Sequence, residues 1–180
     1  MQEPTATART RSILCASLLA AGRPLTAREL SRVLELSPEG VRDAINDLQL
    51  VLREEALGLV VEEIAGGFRL VVDADVIPTL ADLLSPSPLP RLSNAALETL
   101  ALIAYHQPVT RGELEAARGA SCSSTLETLR ERELIRILGQ KEVIGRPLLY
   151  GTTQRFLLEF GLKSLADLPP LQQPAEFLRD

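Results

Sequence analysis

His106 is the only histidine in this 180-residue chain, and Cys15 and Cys122 are its only thiols. These residue types hold metals and attack carbonyls, so their neighbours decide what chemistry is open to them. His106 is followed by Gln107-Pro108 at the end of a helical pattern, with no cysteine or carboxylate cluster beside it. Such a histidine reads as a helix-terminal residue. Neither cysteine belongs to a CxxC or Cys/His grouping. No Ser/His/Asp combination is found, and the stretch from Gly139 to Gly145 lacks the Lys-Ser/Thr pair that completes a phosphate-binding loop. The expected catalytic, cofactor and metal sets are therefore empty, and the chain does not read as an enzyme.

The other chemistry open to the charged residues is recognition. A phrase written twice places them: Pro24-Leu25-Thr26-Ala27-Arg28-Glu29-Leu30 returns 84 positions later as Pro108-Val109-Thr110-Arg111-Gly112-Glu113-Leu114. In each copy Thr caps a helix and Glu, three residues on, closes a capping box. An apolar helix precedes each copy, and a short turn, a further helix and a β-rich stretch follow. That order is a winged helix-turn-helix. The fold class is mainly α with small β-wings (α+β), as two tandem winged-helix domains.

Stepping along the chain, residues 1–9 read as a loose tail, and Thr10 or Ser12 is placed to cap a first helix ending at Ala21 before Gly22. Ser37-Pro38 starts the third helix, whose Val41, Ile45, Leu48 and Leu52 form one apolar stripe. Leu57–Ile64 and Phe68–Val72 read as strands turning at Gly66-Gly67, and Ala74–Leu84 as a short closing helix. Ser85-Pro86-Ser87-Pro88-Leu89-Pro90 is a semi-rigid linker. In the second copy, Ser93 opens a helix expected to bury Leu97, Leu100, Ala101, Ala104 and Tyr105. Thr110–Arg118 follows, then a helix from Ser121 or Ser123 that buries Leu126, Leu129 and Leu134. Strands Leu134–Leu138 and Leu148–Thr152 flank a wing, and Gln154–Phe160 closes the unit. The expected boundaries are 1–9 tail, 10–84 first domain, 85–91 linker, 92–170 second domain and 171–180 tail.

Composition narrows the partners. Net charge is −5, with 46% hydrophobic and 3% aromatic residues, so stacking platforms for single-stranded nucleic acid are scarce. The third helix of a winged helix reads DNA in a repressor. Here it presents Glu39, Arg42, Asp43, Asn46 and Asp47 in the first copy and Glu127, Arg130, Glu131, Arg132 and Glu133 in the second. An excess of carboxylates opposes phosphate, which supplies most DNA affinity, and favours a polypeptide partner over a tandem winged-helix transcriptional regulator. In the second wing, Lys141 and Arg146 could touch DNA or an acidic partner, while Gly145, Pro147, Tyr150 and Thr153 read as structural. Leu162, Leu165 and Leu168, three apart before Pro169-Pro170, form a clasp or a contact surface. Two thiols and a polar N-terminus without a signal peptide fit the cytoplasm. The apolar stretch Ile13–Ala21 is far below the ~18 residues of a membrane span.

The string Leu92-Ser93-Asn94-Ala95-Ala96-Leu97-Glu98-Thr99-Leu100-Ala101, then Ile103 to Arg111, resembles the segregation and condensation protein B family, the winged-helix subunit of bacterial SMC–kleisin complexes. So do Arg118-Gly119, Leu134-Ile135, Gly145 to Thr153, Phe160-Gly161-Leu162 and Leu168-Pro169-Pro170. Pro24-Leu25-Thr26 and Gly66 to Leu70 match more thinly, and the first helix departs from the pattern at Cys15, Ala16 and Ala20. The resemblance implies a non-enzymatic cytoplasmic subunit acting in chromosome condensation and partition. It further implies a homodimer formed largely through the first domain, with Ile13, Leu14, Leu18 and Leu19 as expected contacts. The partner implied is the kleisin subunit, and through it SMC. Its expected groove lies beside the third helix and wing of the second domain, with Leu148, Tyr150 and Leu162 as walls and Arg146 and Lys141 as charged rim.

Overall fold

In a computed structural model, residues 6–80 and 92–170 are described. Two hydrophobic clusters form, one from residues 14–68 and one from residues 96–156, each built on helix, helix, helix and ribbon. The first comprises α1 (Ala6–Ala21), α2 (Ala27–Leu34), α3 (Pro38–Glu54), β1 (Leu59–Ile64) and β2 (Gly67–Val72). The second comprises α4 (Asn94–His106), β3 (Val109–Thr110), α5 (Arg111–Arg118), α6 (Ser123–Glu131), β4 (Ile135–Gln140), β5 (Leu148–Thr152) and α7 (Gln154–Glu159).

The repeated phrase does in both units what its residue types dictate. Thr26 and Thr110 cap α2 and α5, and Glu29 and Glu113 return the bond to the cap's own backbone N–H. The residue before each cap joins its unit's ribbon: Leu25 and Phe68 exchange backbone hydrogen bonds of 2.8 Å, and Val109 pairs with Tyr150. The second sheet thus has three strands in the order β3-β5-β4. A two-residue strand carries no periodicity, so this third strand is invisible to pattern reading.

Both capping carboxyls are held at about 2, far below their ordinary 4.5. For Glu29 the leading cause is the Arg23 guanidinium, followed by the Thr26 N–H and hydroxyl. For Glu113 it is the Lys141 ammonium, followed by the Thr110 N–H and hydroxyl. A carboxyl whose folded value is depressed stabilises the fold fully above its unfolded value, and that contribution is lost as pH falls through the folded one. The melting temperature should therefore decline between about pH 4.5 and pH 2. Glu113→Gln should flatten that decline in a thermal-melt series, and an unaltered pH profile would contradict the linkage.

Several expectations are corrected. α1 begins at Ala6, so residues 6–9 are helix and neither Thr10 nor Ser12 caps it. Alanine and arginine favour helix, nothing interrupts them, and Ser12 turns its hydroxyl back onto the Ala8 carbonyl. The first hairpin turns at Ala65-Gly66, both with positive φ (49° and 72°), leaving Gly67 in the strand. Gly67 has its own reason: a Cβ there would lie 2.9 Å from the Leu25 backbone. Ile77–Leu80 is a 3₁₀ turn rather than part of a helix from Ala74, and residues 81–84 lie outside the described residues. α6 is capped at Cys122 with no side-chain bond, because Ser121 spends its hydroxyl on Glu115 and Ser123 is already helical.

In α4 the buried face is Ala96, Thr99, Leu100, Ile103 and Ala104, while Leu97 is 44% exposed and Ala101 lies outside. The helix is apolar on nearly every face, so spacing cannot choose among them. Thr99 tolerates burial by donating its hydroxyl to the Ala95 carbonyl. The linker expected at 85–91 and the tail expected at 171–180 lie outside the described residues.

Among the described residues, the two units meet at the first hairpin turn. Backbone N–H groups of Ala65 and Gly66, in the first hairpin turn, donate to the carbonyls of Leu162 and Lys163 at 2.9 Å. Lys163 adds an ion pair to Glu63 at 3.4 Å.

Candidate partner-binding surfaces

The wing grows from an antiparallel ribbon in which Ile135 faces Thr152 and Gln140 faces Leu148, with a bulge between Ile137 and Gly139. Its loop is closed by Lys141 N–H donating to the Pro147 carbonyl and Arg146 N–H to the Val143 carbonyl, both at 2.9 Å. Arg146 holds φ at 38° beside Gly145 at 85°. These internal bonds give the loop a defined shape and push Val143 and Ile144 outward, Ile144 with no shielding at all. Val143 and Ile144 were not among the expected contacts. Two apolar residues in a loop that the glycines Gly139 and Gly145 flank were the signal for them.

Of the expected rim and wall residues, Arg146 and Leu148 are exposed. Lys141 is exposed but fastened: its ammonium bonds Glu113 at 2.5 Å, tying the wing to the start of α5. Tyr150 is a core residue, 8% exposed: it lies on the central strand of the sheet, between Val109 and Ile137, and its side chain joins the second hydrophobic cluster. Leu162 packs partly buried on the second cluster, and Leu168 does the same. The structure therefore does not assemble Leu148, Tyr150 and Leu162 into an open wall: two of the three complete the unit's own core. Leu165, the middle member of the leucine series, remains 40% exposed.

On α1, Leu14 and Leu18 are one turn apart and point into the first cluster, at 0% and 3% exposure. Ile13 and Leu19 flank that stripe and stay outside, Leu19 at 72%. Only the latter two can meet another chain.

The third helices keep their acidic faces. Glu39, Asp43, Glu127 and Glu131 are exposed, and Asp47 is drawn aside by Arg11 at 2.9 Å. Arg42, the base that a phosphate would need, faces Glu63 at 4.0 Å and lies over the Phe68 ring. Such a surface repels a duplex. Cys122 is fully buried, and burial first, then Glu115, pushes its thiol up, away from reactive thiolate. Among the described residues no three His, Cys, Asp or Glu side chains gather as a metal set, and no helix is long and apolar enough to cross a membrane.

A second surface lies on α4. The outer face of α4 meets the end of α5 in a cleft of about 490 Å³ lined by Glu98, Ala101, Leu102, Tyr105, His106 and Arg118 among others. A neighbouring cleft of about 500 Å³ shares Tyr105 and runs on to Leu165 and Pro170. The Tyr105 hydroxyl donates to the Pro169 carbonyl at 2.6 Å, which seats the end of the described chain there.

Residues 12–171 match the family model described as segregation and condensation complex subunit ScpB. A segregation and condensation protein B of Moorella thermoacetica is 44% identical over 165 residues, covering 92% of this chain and 84% of the relative. That of Halalkalibacterium halodurans is 46% identical over 149 residues, covering 83% and 76%. A solved structure titled as a dimer of ScpB N-terminal domain complexed with ScpA peptide is 31% identical, covering 48% of this chain and all of that one, with a TM-score of 0.43.

Proposed function

This chain belongs to the segregation and condensation complex subunit ScpB family, and on that premise we propose that it is a non-enzymatic accessory subunit of a bacterial SMC–kleisin complex. It acts in the cytoplasm in chromosome condensation and segregation. A homodimer joined through the first unit grips the central region of the kleisin subunit, ScpA, which links it to SMC. The observation that carries this reading is the family match running through both units rather than one.

The surfaces support it physically. Acidic third helices disfavour DNA and leave polypeptide as the partner. Exposed Ile13 and Leu19 supply apolar area for self-pairing at the first unit. The second unit presents a wing of fixed shape with Val143, Ile144 and Leu148 as apolar contacts and Arg146 as the charged rim. Two such wings on one dimer, held to one kleisin segment, gain affinity through effective concentration.

Light scattering tests the assembly: a dimer alone, and two copies per kleisin when the cognate kleisin is added. A chain that remains monomeric and ignores the kleisin would end the reading. Arg146→Glu should weaken co-purification with the kleisin while dimer mass and melting stay unchanged. Retention of full binding would remove Arg146 from the contact.

A further inference from the structure

The cleft between α4 and α5 contains a charge that the protein itself leaves under-satisfied. The Arg118 side chain is only 9% exposed, yet its closest acceptors are the Ser121 carbonyl at 3.4 Å and a Glu98 oxygen at 3.5 Å. Both are at the long limit of a hydrogen bond. Its buried Nε–H has no acceptor at all. Nε and Nη2 form the edge of a guanidinium that a carboxylate fills with two parallel bonds. Glu98 stands off that edge, reaching only Nη2, and is itself 65% exposed. A buried donor without a partner is costly, and a carboxylate placed on that edge would satisfy it.

The surroundings define what the occupant is. Exposed Ala101 and Ala117, with Leu102 and Tyr105 half-buried beside them, give the cleft an apolar floor on the side of α4 away from its fully buried stripe. From Glu98 to Tyr105 the helix runs about 10 Å at 1.5 Å per residue, and the cleft that shares Tyr105 extends the groove toward Leu165. An elongated apolar groove beside a helix, with one charged anchor at its end, is the shape that accepts an amphipathic helix. α5 connects this groove to the wing, since Glu113 near its start holds Lys141 while Arg118 closes its last turn.

We propose that the α4–α5 groove docks an amphipathic helix of the kleisin whose carboxylate displaces Glu98 and takes the Nε/Nη2 edge of Arg118. This rests on the reading of the chain as a kleisin-binding subunit, and it adds a second surface to the wing. The occupant is committed by charge and shape: a guanidinium short of acceptors, set in apolar walls, selects an acidic residue flanked by aliphatic ones.

The test is calorimetric titration of the full chain with its cognate full-length kleisin, using three variants checked for unchanged melting. Ala101→Glu, at an exposed position, should weaken binding at least tenfold by blocking the floor. Arg118→Gln should weaken it by a similar factor. Glu98→Gln should bind several-fold tighter, because the competing carboxylate is gone. Wild-type binding with Ala101→Glu and Arg118→Gln unaffected overturns this proposal while leaving the broader reading standing; no wild-type binding removes both. If Glu98→Gln weakens binding as much as Arg118→Gln, the pair is an internal structural contact and the proposal fails. A change of Ala101→Glu alone from dimer to monomer in light scattering would assign the groove to a second copy of this chain, which also overturns it.

Discussion

Leu30→Ala and Leu114→Ala are each expected to destabilise one unit by about 3 kcal/mol, within the 2–5 kcal/mol range of buried leucine truncations. The two residues end the two copies of the repeated phrase and are exposed by 0% and 1%. Each sits one turn past its capping threonine, with Leu30 N–H bonded to the Thr26 carbonyl at 3.0 Å. Each belongs to a different hydrophobic cluster, so neither cavity can be refilled by the other unit. A unit of this size has only about 4–11 kcal/mol of stability in total at typical values per residue. The loss should therefore lower that unit's melting point by more than about 10 °C. Scanning calorimetry separates the outcomes: each variant should displace one transition and leave the other near its original temperature. Among the described residues, two backbone hydrogen bonds and one exposed ion pair join the units, too little contact to merge two cores into one cooperative transition. Equal displacement of the whole profile by either variant would show that the units melt together.

The second large effect separates neighbours on α1. Leu18→Glu places a carboxylate at a site 3% exposed among aliphatic side chains and should cost about 4 kcal/mol or more, enough to unfold the first unit. Leu19→Glu, one residue on and 72% exposed, should leave the first unit folded, with no fall in melting temperature beyond what loss of self-pairing causes. Under the proposed dimer it should instead shift the mass in light scattering from two copies to one. A dimer that survives Leu19→Glu, and equally a combined Ile13→Glu and Leu19→Glu variant, would move the self-pairing surface off α1. The contrast matters because the sequence alone groups Ile13, Leu14, Leu18 and Leu19 as one apolar set. Folding divides them into two that are spent and two that remain.

That division is typical of what could and could not be read in advance. The capping boxes at Thr26–Glu29 and Thr110–Glu113, the Ser37-Pro38 helix start and the buried stripe of α3 all stand where the residues put them. Their causes lie within one or two helical turns, so they are written in adjacent residues. The α4 stripe held at Leu100 and Ala104 but not at Leu97 and Ala101, because Asn94–His106 is apolar on nearly every face and only the position of α5 and α6 picks the buried one. The wing was legible as a wing, but Tyr150 read both as a structural residue and as a wall beside Leu148, and only the first reading holds. Which side of β5 is covered depends on the helices that pack against it, α4 and α5, which come earlier in the chain. The under-satisfied Arg118 had no local signal, since its want of an acceptor is a matter of where Glu98 and Ser121 come to rest.

By itself, then, the order of residues determined two helix-helix-helix-ribbon units, their caps, most of their core leucines and the acidic character of both third helices. Tertiary packing decided which apolar residues were consumed and which stayed exposed: Leu19 on α1, Ile144 on the wing and Ala101 over the α4–α5 groove. The physical reason is range. Propensity, capping and charge act through neighbours in sequence, whereas burial is a competition among all apolar surfaces of a unit, settled only when helices and ribbon meet.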